Sequence, residues 1–185
     1  VYGNSDGAWI DETAPLKPSS ARSRQRVRAE QDWQDVAGEL NIPLAIFRLS
    51  GIYGPGRNAL VSADQGRSRR LVKTNQVFNR IHVKDIAEAV ERAADSYVSG
   101  IFNITDDLPA PPQDVVALAH QLLDTPPPPE QAFETAELSP MARSFYGDNK
   151  RVSNEHSKKQ LGMVYQWPDY RVALQRMYDE DCWKG

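Results

Sequence analysis

The stretch SSARSRQRVRAEQDW, residues 19–33, carries an arginine at every second position from Arg22 to Arg28. It reads as a loop running into a helix. Three chemistries fit such a cluster: an anion clamp in a cleft, a solvated helix start, or a nucleic-acid patch. Cations at a helix N-terminus oppose the helix dipole, which counts against the solvated start. Arg67, Arg69, Arg70 and Lys73 form a second basic stretch. No helix-turn-helix, RNA-recognition or zinc pattern accompanies either one, so nucleic acid is the least supported of the three. Other chemistries are not signalled. His82, His120 and His156 lie far apart with no second ligand at metal spacing. Cys182, the only cysteine, has no Cys or His companion suggesting a thiol dyad.

These residues sit in a chain of 185 residues with net charge −3 and 40% hydrophobic content, an ordinary balance that makes the arginine cluster local rather than global. One cysteine excludes an intrachain disulfide framework and suits a reducing, cytoplasmic setting. No apolar run approaches the ~20 residues that span a bilayer, and no signal peptide is visible. The chain opens on VYG, which reads as the end of a strand entering a turn. It is therefore expected to be the C-terminal part of a longer protein.

The elements follow from periodicity. Residues 22–41 read as a helix with Ala29, Trp33, Val36, Ala37 and Leu40 on one face. PLAIFRLS, residues 43–50, reads as a short buried strand. QVFNRIHV, residues 76–83, reads as a strand with Val77, Asn79, Ile81 and Val83 on one face; His82 is expected to pack at its end. Asp85 is the expected N-cap of a helix over 86–97. GIFNIT (100–105) is a further strand, and PPQDVVALAHQLLD a helix with proline at its start. TPPPPE, 125–130, reads as a stiff linker. A short helix near 154–161 and a closing helix from about Asp169 follow. The alternation predicts an α/β protein with a parallel sheet and a smaller subdomain after the proline run.

Several pieces in order then resemble one family: VYG at 1–3, DETAPLKP at 11–18, RLSGIYGPG at 48–56, RIHVKDIAEAV at 80–90 and FNITDD at 102–107. The chain is similar to the extended short-chain dehydrogenase/reductases, the NAD-dependent epimerase/dehydratases acting on nucleotide sugars. MARSFYGDNKRVSN at 141–154 resembles an atypical branch, in which Asn149, Lys150 and Arg151 face the cleft or stabilise the subdomain. The resemblance implies the C-terminal part of a Rossmann-like doubly wound parallel sheet plus a small α+β substrate subdomain. Residues 1–124 would be the former, with a substrate-lobe segment inserted at about 55–83, and 125–185 the latter. It further implies NAD or NADP as cofactor, a nucleotide or sugar nucleotide as partner, no membrane, and a possible homodimer. The glycine-rich turn that grips the cofactor pyrophosphate has no counterpart in this chain.

The family's chemistry uses a tyrosine and, four residues on, a lysine. The tyrosine is the acid/base, and the lysine lowers its pKa and binds the nicotinamide ribose. The lysine precedes a helix Glu by four residues. With Glu30 as that Glu, Arg26 stands at the lysine position and Arg22 at the tyrosine position. An arginine keeps a charge but cannot shuttle a proton, its pKa lying above ~12. The resemblance also puts Leu49 and Ser50 against the nicotinamide. Gly51 falls where an Asn usually reaches the sugar, and Phe78 where an Arg binds diphosphate; Arg80 is the nearby cation on the same strand face. No metal site is implied. Arg48 is expected to bond loop carbonyls.

Overall fold

The computed structural model describes residues 1–185 throughout. The entry loop is pinned by Gly3, whose φ of +78° and contact with Lys17 O at 2.2 Å from an ideal Cβ leave no room for a side chain. After β1 (Trp9–Ile10), Ser20 starts α1 (Ala21–Leu40) with a capping box. Its hydroxyl accepts from the Ser23 amide, and the Ser23 hydroxyl accepts from the Ser20 amide. Asn41 in the left-handed region ends the helix.

The chain then reverses into β2 (Ala45–Leu49) and β3 (Gly51–Tyr53). Asn58 caps α2 (Ala59–Asp64), followed by β4 (Arg70–Val72) and β5 (Arg80–His82). Next come α3 (Val83–Ser96), β6 (Gly100–Ile104) and α4 (Pro112–Leu122). The remainder is β7 (Glu130–Ala132), α5 (Pro140–Phe145), β8 (Arg151–Val152), α6 (Glu155–Leu161) and α7 (Tyr170–Asp179), the last capped by Asp169. Every strand pair is parallel: β1 with β8, β2 with β6, β3 with β5 and β4 with β7. β2 and β6 run in register from Ala45↔Gly100 to Leu49↔Ile104. Long crossovers through helices supply that parallelism, as an α/β architecture requires.

The main core lies where α2, α4 and α7 meet, around Leu60, Trp167, Leu174 and Met177. A second core joins Ile81, Phe102 and Ile104 to α3 and to Leu161, Met163 and Tyr165. No helix is long and apolar enough to cross a membrane.

Three local expectations change. The apolar stripe of α1 exists, but only Ala37 is buried; Trp33 and Leu40 are each 63% exposed. Within this chain β2 pairs with β6 alone, and its other edge carries no strand. β2 is half-buried rather than enclosed. Asp85 is not the cap of α3. His82 is, its Nδ1 accepting from the Lys84 amide at 3.3 Å. Asp85 instead turns inward, fully buried, and accepts from the Gln166 and Trp167 amides at 3.0 and 3.2 Å. The proline run leads into β7, which pairs with the basic stretch at β4.

His82 packs as expected. Its ring stacks on Trp167 at 3.9 Å and meets Tyr53 edge-on at 5.3 Å. Burial, then the nearby Lys84 and Arg176 cations, lowers its pKa to about 4. Nδ1 already faces an amide donor, so a second ring proton would point at another N–H. A base with a depressed folded pKa contributes stability above its unfolded value of 6.5 that is lost as pH falls towards 4. That loss amounts to about 3 kcal/mol at ~1.36 kcal/mol per unit. The His82 imidazole resonances should accordingly titrate near pH 4 in the folded protein; a midpoint above 6 would contradict this environment.

Candidate functional site

The register of α1 is set by one ion pair. Arg48, on β2, grips Glu30 with Nε at 3.1 Å from both carboxylate oxygens and Nη2 at 2.6 Å from Oε2. Its Nη1 donates to the Tyr2 hydroxyl at 2.8 Å, and that hydroxyl donates to Asn103 Oδ1 at 2.7 Å. Arg48 therefore bonds side chains, not the loop carbonyls the sequence suggested. Arg26 lies one turn before Glu30 on the same helix face, and Leu49 and Ser50 directly follow Arg48 at the end of β2.

Arg22 and Arg26 are both exposed, in the first two turns of α1. Neither forms an ion pair; of the four arginines only Arg28 does, with Asp32 at 3.9 Å on the open surface. Leu49 is exposed and Ser50 half-buried, its amide donating to Ile104 O at 3.2 Å. Gly51 follows directly. A Cβ there would meet Asn79 O at 3.2 Å, so a larger residue requires that carbonyl to give way. That close approach is a local reason for glycine at this position.

Gly51 and Arg80 are partners in the β3–β5 register, so the structure brings Leu49, Ser50, Gly51 and Arg80 to one end of the strand pairs. Phe78, two residues before Arg80, is half-buried and packs edge-on against Tyr146 at 5.2 Å. Arg80 donates to Phe78 O and Ala110 O at 3.0 and 3.2 Å and has no carboxylate ion pair. Its guanidinium reaches the wall of a cavity of about 330 Å³ between α2, α4 and α7. Leu49, Ser50 and Phe78 do not line that cavity.

Asn149, Lys150 and Arg151 tie the entry loop down. Asn149 O accepts from the Ser5 and Gly7 amides at 3.0 Å each. Lys150 donates to Gly3 O at 2.9 Å, and Arg151 donates to Gly7 O. No group of three His, Cys, Asp or Glu side chains is arranged to hold a metal ion.

Sequence reasoning missed Tyr2 as a hinge of the Arg48 network, because its partners are 46 and 101 residues away. It also missed Tyr53 and Asp106, buried polar groups beside Arg80 that no spacing rule marks.

Comparison with known proteins places this geometry among relatives. A solved structure described as a functionally unknown conserved protein from Silicibacter pomeroyi DSS is 49% identical, with a TM-score of 0.90 over 98% of this chain and 63% of its own. The human epimerase family protein SDR39U1 (isoform 2), solved with NADPH, shares the fold at 18% identity and a TM-score of 0.75, over 96% of this chain and 62% of its own. A 3-diazoavenalumate denitrifying reductase from a Streptomyces species is 25% identical, over 90% of this chain and 58% of its own. The chain thus spans about 60% of the length of these relatives. The family model described as the NAD dependent epimerase/dehydratase family matches residues 1–105, and the chain belongs to that family.

Proposed function

We propose that this chain is the C-terminal, substrate-side part of an NAD(P)-binding protein related to the nucleotide-sugar epimerases, dehydratases and reductases, with its acid/base chemistry rewritten. The observation that carries the reading is the Glu30–Arg48 pair. It supports the register that puts Arg26 at the lysine position and Arg22 at the tyrosine position. Relatives solved with NADPH or NAD support the cofactor class.

The residues present fit one side of such a cofactor. Arg26 offers a free guanidinium for a ribose or phosphate oxygen, a contact stronger than a neutral hydrogen bond. Leu49 supplies an apolar surface for the nicotinamide face and Ser50 a hydroxyl at its edge. When bound, the cofactor supplies a hydride acceptor or donor. Arg80, the register partner of Gly51, offers a cation for a sugar or phosphate oxygen, Phe78 lies on the same strand face, and residues 125–185 close the substrate side. A guanidinium is no proton shuttle, so Arg22 orients an anion instead of transferring a proton.

The test uses the full-length protein. Arg26→Ala should weaken NADPH or NAD binding about 10- to 100-fold in calorimetry, the loss of one charge-assisted contact of ~1.5–3 kcal/mol. No binding of either dinucleotide to the unaltered protein would end the proposal. Arg22 favours a second reading, a dinucleotide- or sugar-nucleotide-binding sensor or scaffold without redox chemistry. Incubation with a panel of UDP- and dTDP-sugars separates the two: turnover supports the enzyme, and binding without turnover the sensor.

A further inference from the structure

From the wall of the cavity between α2, α4 and α7 runs a chain of side chains, Ser68, His120 and Thr125, and the reading above uses none of the three. Ser68 lies on the cavity wall, in the loop between α2 and β4. The Ser68 hydroxyl is 2.7 Å from Nε2 of His120, a buried residue on the last turn of α4. Nδ1 of the same ring is 2.9 Å from the Thr125 hydroxyl, which also reaches His120 O at 3.4 Å.

In the tautomer that activates Ser68, Thr125 gives its proton to the His120 carbonyl and accepts the Nδ1 proton, and Nε2 keeps a lone pair for the Ser68 hydroxyl. A nucleophile, a base within hydrogen-bond reach and a third group orienting the base are the signature of an activated serine.

The cavity also suits an anionic ligand. Arg67, Arg69 and Arg80 all reach its wall. Their guanidiniums meet uncharged oxygens: Gln65 Oε1 for Arg67, Glu137 O and Gln131 Oε1 for Arg69, and Phe78 O and Ala110 O for Arg80. None has its charge neutralised by an ion pair. Tyr53, only 9% exposed, lines the same cavity, and its hydroxyl has no partner in the protein.

We propose that Ser68, His120 and Thr125 form a second active site, a serine nucleophile acting on carboxylic esters whose acyl part carries a negative charge. Ser68 Oγ bonds to the ester carbonyl carbon while its proton passes to His120 Nε2 and the carbonyl π-pair moves onto oxygen. The arginines and the Tyr53 hydroxyl meet that oxyanion. The C–O bond to the alcohol then breaks, and the leaving oxygen takes the proton from Nε2. Water adds to the acyl-serine with the same base, releasing the carboxylic acid and restoring Ser68.

The experiment is run on the full protein without NAD(P), so its failure leaves the cofactor reading untouched. A fluorophosphonate probe should add its mass to Ser68, located by peptide mass spectrometry. Ser68→Ala should abolish that label, while the surface control Ser96→Ala keeps it. His120→Gln should slow labelling at least ~100-fold, as expected for loss of a general base. Should that variant fail to fold, Thr125→Val, at an exposed helix end, provides the same comparison and should slow labelling at least several-fold. Hydrolysis of 4-nitrophenyl hemisuccinate should exceed that of 4-nitrophenyl acetate by about tenfold in kcat/KM, near 1.4 kcal/mol. Labelling that ignores Ser68→Ala, or no label and no hydrolysis, marks the serine–histidine bond as structural and overturns the proposal. Equal rates on the two esters overturn its anionic-substrate part.

Discussion

Arg48→Ala is expected to lower the stability of the fold by about 3–5 kcal/mol, the cost of leaving one member of a buried ion pair alone. The Arg48 and Glu30 side chains are 7% and 12% exposed, so little solvent screens them. The pair is bidentate, and Arg48 has a third contact to Tyr2, over whose ring its guanidinium also sits at 4.9 Å. Truncation strands the Glu30 carboxylate under α1 and removes the donor that holds the Tyr2 hydroxyl. It should also loosen α1, because so little else of that helix is buried. Urea midpoints of the wild type and variant at pH 7 measure the loss. Replacing both partners, Arg48→Met with Glu30→Met, should recover most of it, since an apolar pair strands no charge. A single-variant loss under 1 kcal/mol, the range of a surface pair, would place Arg48 in solvent and undo the argument for the register of α1.

That pair also shows where the sequence was legible. Glu30 follows from motif spacing, and the strands at 45–49 and 100–104 follow from apolar runs, because both signals are local. The exposure of Trp33 does not. A period of 3.6 reports which residues share a face and says nothing of whether a second layer covers it. Asp85 failed for a related reason. A carboxylate at a helix start satisfies the capping pattern, but the amides of Gln166 and Trp167, some eighty residues on, outbid the local ones. At the proposed site, Leu49, Ser50 and Gly51 are contiguous, so one window of the sequence contains all three. Ser68 and His120, separated by 52 residues, meet only because α4 packs across α2 and β4. No window of the sequence contains both.

Asp106→Asn is expected to stabilise the protein at neutral and alkaline pH, and the size of the gain should depend on pH. Asp106 is 1% exposed. Its Oδ1 accepts from the Leu108 amide at 3.3 Å, while Oδ2 has no partner. Burial pushes its pKa up to about 8, against the pull of the Arg80 charge. A carboxyl whose folded pKa lies above its unfolded value of 3.8 contributes stability below pH 4 that is lost as pH rises through 8. At ~1.36 kcal/mol per unit, the loss between pH 4 and pH 7 is of the order of 4 kcal/mol. His82 titrates with the opposite sign over much of the same interval, so the wild-type profile alone should look nearly flat between pH 4 and 6.5. The difference between wild type and Asp106→Asn isolates the carboxyl, because His82 is common to both. The two proteins should unfold at similar urea concentrations near pH 4 and diverge steadily towards pH 8, with the variant the more stable. Parallel profiles across that range would mean that Asp106 is ionised throughout and that Arg80, despite forming no ion pair with it, compensates its charge in full.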